Sequence, residues 1–277
     1  MAQSLLITLR EGLEAALIIG IVLAYLKRIG RGDRFPAVWW VVAGAAGLSL
    51  VGGAILFSVG VALEGAAEEL FEGAAMFLAV AVLSWMVIWM KRQAVDIKAS
   101  LQRQIQTAVA TGSGTALVAL AFFTVGREGL ETSLFLFTAF KTSTTLQTLV
   151  GAIVGLSIAV VVGWSIYRGS RFLNLRLFFD ISGVLVVLFA AGLLARGIHE
   201  FQEAGALPMV VEHVWDINSA LNEKAGLGAF LKGLFGYNGN PSLLEVVIYP
   251  AFLAMALFYF FRRPAPTLAA PAQQRAT

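Results

Sequence analysis

Cysteine is absent from the 277 residues, histidine occurs only twice, and charged residues make up 13% of the chain. Each scarcity excludes something. Without cysteine there is no disulfide, no thiolate metal site and no iron–sulfur cluster, so any metal must be held by oxygen, imidazole or the thioethers of six methionines. No patterned basic face points to nucleic acid, and the formal net charge is only +3. What fills the space is apolar: 58% hydrophobic residues and 28 glycines, with a mean hydropathy of +0.81. This is the profile of a helical membrane protein.

Apolar runs long enough to span a bilayer lie at about 4–26, 37–60, 72–90, 114–140, 148–167, 178–197 and 244–261. Seven spans are expected. Arg10, Glu11 and Glu14 interrupt the first run, which argues against a cleaved signal peptide. Alternate connections are basic: Lys27, Arg28, Arg31 and Arg34; then Lys91, Arg92, Lys98 and Arg103; then Arg168, Arg171 and Arg176; then Arg262, Arg263 and Arg275. The intervening ones hold Glu64, Glu68, Glu69 and Glu72, then Lys141 alone, then a segment 198–243 richer in acids than bases. Positive residues mark the inside, so the N-terminus is expected outside and the C-terminus in the cytoplasm, with Arg196 the one exception.

Among these apolar runs, Arg-Glu-Gly-Leu-Glu occurs twice, at Arg10–Glu14 and Arg127–Glu131. Charged side chains at membrane depth cost about 2.5–3.5 kcal/mol each, so six of them require compensation by one another or by a ligand. The copies are separated by three spans. An odd number makes the second unit enter from the opposite side, which predicts an inverted 3+3 repeat (about 1–90 and 114–197) plus one added span, with a substrate site near the midplane. The whole reads as an all-α integral membrane protein with a single domain over 1–262, an outer loop at 198–243, a seventh span at 244–261 and a disordered cytoplasmic tail at 263–277.

On a helix, Glu11 and Glu14 lie about 60° apart, as do Glu128 and Glu131. Arg10 and Arg127 are four residues from Glu14 and Glu131 and are expected to pair with them. Gly12 and Gly129 are expected to let the two motif helices approach closely. Four Glu and two Arg then form a cluster of formal charge minus two, which a multivalent cation neutralises. An all-carboxylate set suits hard metals: Fe³⁺, Fe²⁺, Mn²⁺, Mg²⁺ and Ca²⁺ stay open and Cu(I) is disfavoured.

The doubled motif, the seven spans and the segment Gly197-Ile-His-Glu-Phe-Gln-Glu-Ala-Gly205 resemble the oxidase-dependent iron permease family, in its bacterial EfeU-type branch, over about residues 1–262. One copy of the motif is a weak signal; two in inverted spans are specific. The resemblance implies iron import across the cytoplasmic membrane, with Glu11, Glu14, Glu128 and Glu131 at the iron-binding positions and iron as cargo rather than a permanently bound cofactor. It also implies a periplasmic iron-binding protein and a haem peroxidase or other ferroxidase as partners. The Asp-Ala-Ser-Glu motif of fungal members, which take iron from a multicopper oxidase, is missing here.

Other acidic groups have two readings. Glu68 and Glu72, with Glu64 and Glu69, either recruit cations at an outer entrance or form a solvated face. His199, Glu200 and Glu203 either relay metal on the outside or make a helix-end salt cluster with Arg196. Glu212, His213 and Asp216 repeat that choice. Ser242 and Glu245 have capping-box spacing after Pro241. Gly151 and Gly155 fit helix packing, Trp85 and Trp89 beside Met86 and Met90 fit an interfacial anchor, and Ile97, Leu101, Ile105 and Ala108 fit a helix on the inner surface. Carboxylates at helical spacing also build membrane di-iron oxidases, but neither motif carries the required Glu-x-x-His. A purely structural subunit is disfavoured by the intramembrane charge.

Overall fold

The computed structural model describes residues 1–93, 114–168, 175–223 and 226–262. Among these it is all helical: α1 (Ala2–Arg28), α2 (Phe35–Ala62), α3 (Ala66–Gln93), α4 (Gly114–Thr142), α5 (Thr145–Tyr167), α6 (Leu175–Glu203), α7 (Gly226–Phe235) and α8 (Leu243–Phe261), with a 3-10 turn at Gly32–Arg34. Every predicted apolar run falls inside a long helix, and most helices overshoot their run. Hydropathy ends where charges begin, whereas helical hydrogen bonding continues. Glu68 and Glu69 occupy the first turn of α3, where acids suit the helix dipole. The far end of α6 carries His199, Glu200 and Glu203 a full turn beyond its apolar run, so the outer segment begins later than 198. That segment also contains the ten-residue α7, which no sequence signal singled out. The expected surface helix near Ile97 and the tail after Arg263 lie outside the described residues.

Among the described residues, five helices are long and apolar enough to cross a membrane: Gly32–Ala62, Ala66–Trp89, Thr145–Ser165, Leu177–Glu203 and Leu243–Phe261. Helices α1 and α4 are as long, at 27 and 29 residues, but carry the motif charges. Small residues set the helix directions. Gly151 abuts Met1 and Ser4, Gly155 abuts Leu5 and Thr8, and Gly163 abuts Ala16, so α1 and α5 run parallel. Gly126 meets Ala45, Gly53 meets Ser133 and Gly60 meets Phe137, so α2 and α4 also run parallel. Gly73 lies on Gly197 while Gly183 lies near Val87, which makes α3 and α6 antiparallel. Glu128 lies level with Glu11, and Gly12 lies level with Ala159, so the chain doubles back at Ser143 and α4 runs against α1.

The main core joins Ile7, Met76, Leu83, Phe135, Phe189, Leu193 and Phe260. A second cluster packs Val22, Leu23, Leu26, Val38 and Ala121 at the other end of α1. Outer flanks expose Trp40, Leu50, Ile55, Ile153 and Val161. Apolar surface of this extent suits lipid, where helix contact depends on close packing of small residues. The capping box opens α8 as expected: Ser242 Oγ accepts from the Glu245 amide at 3.4 Å, and Glu245 Oε1 accepts from the Ser242 amide at 3.2 Å.

Candidate metal site

Each motif sits inside a long helix: Leu, Ala and Ile surround the first, Phe, Val and Leu with Thr and Ser flank the second, and the Arg–Glu spacing closes within one turn. Arg10 Nε lies 3.5 Å from Glu14 Oε1, and Arg127 Nε lies 3.2 Å from Glu131 Oε1, both as the four-residue spacing requires. Arg127 also donates to Glu128 Oε1 at 2.7 Å, a neighbour pairing that spacing rules do not single out. Its guanidinium stands 5.5 Å from the ring of Trp89, which therefore has a partner beyond a simple interfacial role. The two arginines are not equivalent. The side chain of Arg10 is 2% exposed and that of Arg127 is 36% exposed.

Glu11, Glu128 and Glu131 each offer an oxygen, and these oxygens lie within 4.8 Å of one another. Cations held at about 2.0–2.6 Å place opposite oxygens about 4–5 Å apart, so the spacing fits one ion. Glu14 is turned toward Arg10 and remains within electrostatic reach of Glu128 and Glu131. Three of the four carboxylates keep one buried oxygen without a hydrogen-bond partner, Glu11 Oε2, Glu128 Oε2 and Glu131 Oε2, while the buried Glu14 Oε1 faces Arg10 Nε. Buried polar atoms are ordinarily satisfied, so three such oxygens from two sequence-distant motifs make this cluster the candidate ligand site.

The motif glycines do not face each other. A Cβ at Gly12 would stand 2.8 Å from Ala159 on α5, and one at Gly129 would stand 2.7 Å from Ser49 Cβ on α2. The reason is angular: with about 100° per residue, Gly12 points about 130° away from the centre of the Glu11–Glu14 face. The glycines admit supporting helices behind the site rather than the other motif. Ser133 Oγ donates to the carbonyls of Ser49 and Gly129, both at 2.9 Å, and fastens α2 behind the second motif.

Away from the cluster, the acidic groups are distributed unevenly. Lys141 bridges Glu68, at 3.1 Å, and the buried Glu72. Glu200 is held by Arg196 at 2.7 Å. His199 places Nδ1 3.0 Å from Glu245 Oε1 and Nε2 3.2 Å from Glu203 Oε1. The Glu245 contact joins residues 46 apart and had no sequence signal. Glu212 and His213 are exposed and 3.6 Å apart, and the Asp216 carboxylate accepts from the Asn218 amide. Burial disfavours charge on Glu223, but Lys232 at 2.9 Å and the Gly239 amide hold its pKa below the usual carboxylate range.

Comparison with known proteins assigns the chain to a family. The model of the iron permease FTR1 family matches residues 1–262. The chain is 40% identical over 264 residues to the ferrous iron permease EfeU of Yersinia pestis, covering 95% of this chain and 94% of the relative. It is 38% identical over 261 residues to that of Escherichia coli O157:H7, covering 94% and 95%. No solved structure matches. Similarity along nearly the whole length of both chains, at this identity and with both charged motifs inside the matched region, means that the chain belongs to the iron permease FTR1 family.

Proposed function

We propose that this protein imports ferrous iron across the bacterial cytoplasmic membrane, through a site formed by Glu11, Glu14, Glu128 and Glu131. The observation that carries this reading is that Glu11, Glu128 and Glu131, each with a buried oxygen lacking a hydrogen-bond partner, converge within ion-binding distance from two different helices. Family membership supplies iron as the cargo, and the relatives' names supply its ferrous state. Arg10 and Arg127 hold the carboxylates in place between passages. An arriving ion exchanges water for carboxylate oxygen and loosens the arginine contacts. Neither histidine belongs to the cluster, which leaves the di-iron oxidase reading without the ligands it requires.

The same reading takes α1 to α6 and α8 as seven spans, with α1–α3 and α4–α6 as inverted halves. Register supports it. Moving from Gly12 to Gly129 is a shift of 117, and from Ser49 to Ala159 a shift of 110. These two shifts carry the Gly129–Ser49 contact onto Gly12–Ala159, Gly53–Ser133 onto Gly163–Ala16, and Gly126–Ala45 onto Gly155–Leu9. The antiparallel course of α1 and α4 and of α3 and α6 is what inversion requires. Rocking of one half against the other around a fixed site would then expose it to each side in turn.

Radioactive iron uptake into proteoliposomes tests the proposal, with ferrous and ferric iron supplied separately and Mn²⁺ as competitor. Uptake of ferrous iron by the unaltered protein, abolished by Glu14→Gln and by Glu131→Gln, is expected. Unchanged uptake in both variants removes the carboxylate site from the mechanism.

A further inference from the structure

A cavity of about 610 Å³ lies between α6, the segment after it and the start of α8. Its buried end is formed by Gln3 of α1 with Phe189 and Leu193 of α6, and its exposed end by Glu203, Glu212 and His213. The iron-site motif begins nearby. Gln3, Ile7 and Glu11 follow one another at four-residue intervals on α1, so the cavity's end and the first motif glutamate are about 12 Å apart along the helix. Between them stands one apolar layer, in which the buried Ile7 packs in the same cluster as Phe135, Phe189 and Leu193.

We propose that this cavity is the outer receiving chamber of the permease, that a divalent cation is first held there by His199 Nε2 and Glu203, and that the Ile7–Phe135–Phe189–Leu193 layer closes it from the glutamate site. The proposal rests on the import reading for its cargo. Its geometry is independent. Ligand atoms at about 2.1 Å from one metal and 90–109° apart are about 3.0–3.4 Å from each other, and His199 Nε2 to Glu203 Oε1 is 3.2 Å. Glu245 is buried and accepts from His199 Nδ1, from Asn238 Nδ2 at 2.8 Å and from the Ser242 amide. A carboxylate fixed in this way orients the imidazole and directs its other nitrogen at a ligand. The competing acids are already engaged, Glu68 and Glu72 by Lys141 and Glu200 by Arg196, and none of the three lines the cavity. A pair of protein ligands completed by water holds an ion loosely, which suits a chamber that must pass it on.

The absence of cysteine makes the test direct. Met209 lines the chamber and is 39% exposed. Met209→Cys, introduced into the full-length protein in right-side-out vesicles, is treated with a membrane-impermeant thiol reagent with and without Mn²⁺. Reaction from outside, slowed by Mn²⁺, is expected. Adding Glu203→Gln, an exposed position tolerant of change, or His199→Ala is expected to raise the Mn²⁺ concentration for half-protection by about tenfold or more. Protection that is absent in the Met209→Cys parent, or that survives both additions unchanged, overturns the chamber. Combined with Glu131→Gln, which is expected to stop import, protection persists; if it vanishes there, the ion was held at the glutamate site and the chamber is again overturned. A protein that shows protection yet imports no iron, in any variant, instead removes the import reading and leaves the outer site standing.

Discussion

Burial separates the two arginines more sharply than their identical motifs suggest. Arg10 is nearly enclosed with Glu11 and Glu14, whereas Arg127 faces partly open space beside Trp89. Removing one partner of a buried pair strands the other charge and costs about 3–5 kcal/mol. Arg10→Gln is therefore expected to destabilise the detergent-solubilised protein by about 3–5 kcal/mol in denaturant unfolding, and Arg127→Gln by less, because Arg127 is itself partly exposed although its partners Glu128 and Glu131 are not. Arg10→Gln/Glu14→Gln should recover part of the first loss. Equal losses in the two single variants would mean that the enclosure of Arg10 carries no energetic weight. Both four-residue pairings were legible in the sequence because a helix fixes that distance locally. The His199–Glu245 contact and the Lys141 bridge were not, since each depends on how distant helix ends meet.

Among the elements, hydropathy located every long helix but not its ends, because charged residues stop an apolar run without stopping a helix. It also missed α7, whose ten residues are too few to span and too far from any motif to draw notice. The glycines teach the complementary point. Their spacing announced close packing, yet only the angle of each glycine to its glutamates tells which helix comes close. Gly12→Ala drives a methyl into Ala159, and overpacking of this kind costs about 1–3 kcal/mol. Ala159→Gly on its own is expected to cost about 0.5–1 kcal/mol as a helix-interior glycine. The double variant should be more stable than Gly12→Ala alone, measured by thermal unfolding in detergent, because the added and removed methyls exchange places. Strict additivity would mean that α1 and α5 do not touch at this level.

For the whole molecule, closure is lopsided in a way that sequence symmetry alone does not produce. At the end of α4 away from Trp89, Thr138 and Phe135 are fully buried beneath Lys141, which ties α4 to Glu68 and Glu72 of α3. The shift of 117 that relates the two motif helices carries Lys141 onto Ala24, so α1 has no ammonium at the matching position. On the proposed orientation, Lys141 bridges the two halves on the outside, and it competes there with any cation drawn to the same acids. Losing a latch worth about 1.4 kcal/mol raises the population of the alternative state about tenfold. Lys141→Ala is accordingly expected to increase the outside reactivity of a Thr138→Cys thiol by about that factor, with a Lys141→Arg control near the parent rate. A thiol that stays equally protected in all three backgrounds would show that the apolar layer alone closes the outer side. The glutamates behind it would then be gated by packing rather than by charge.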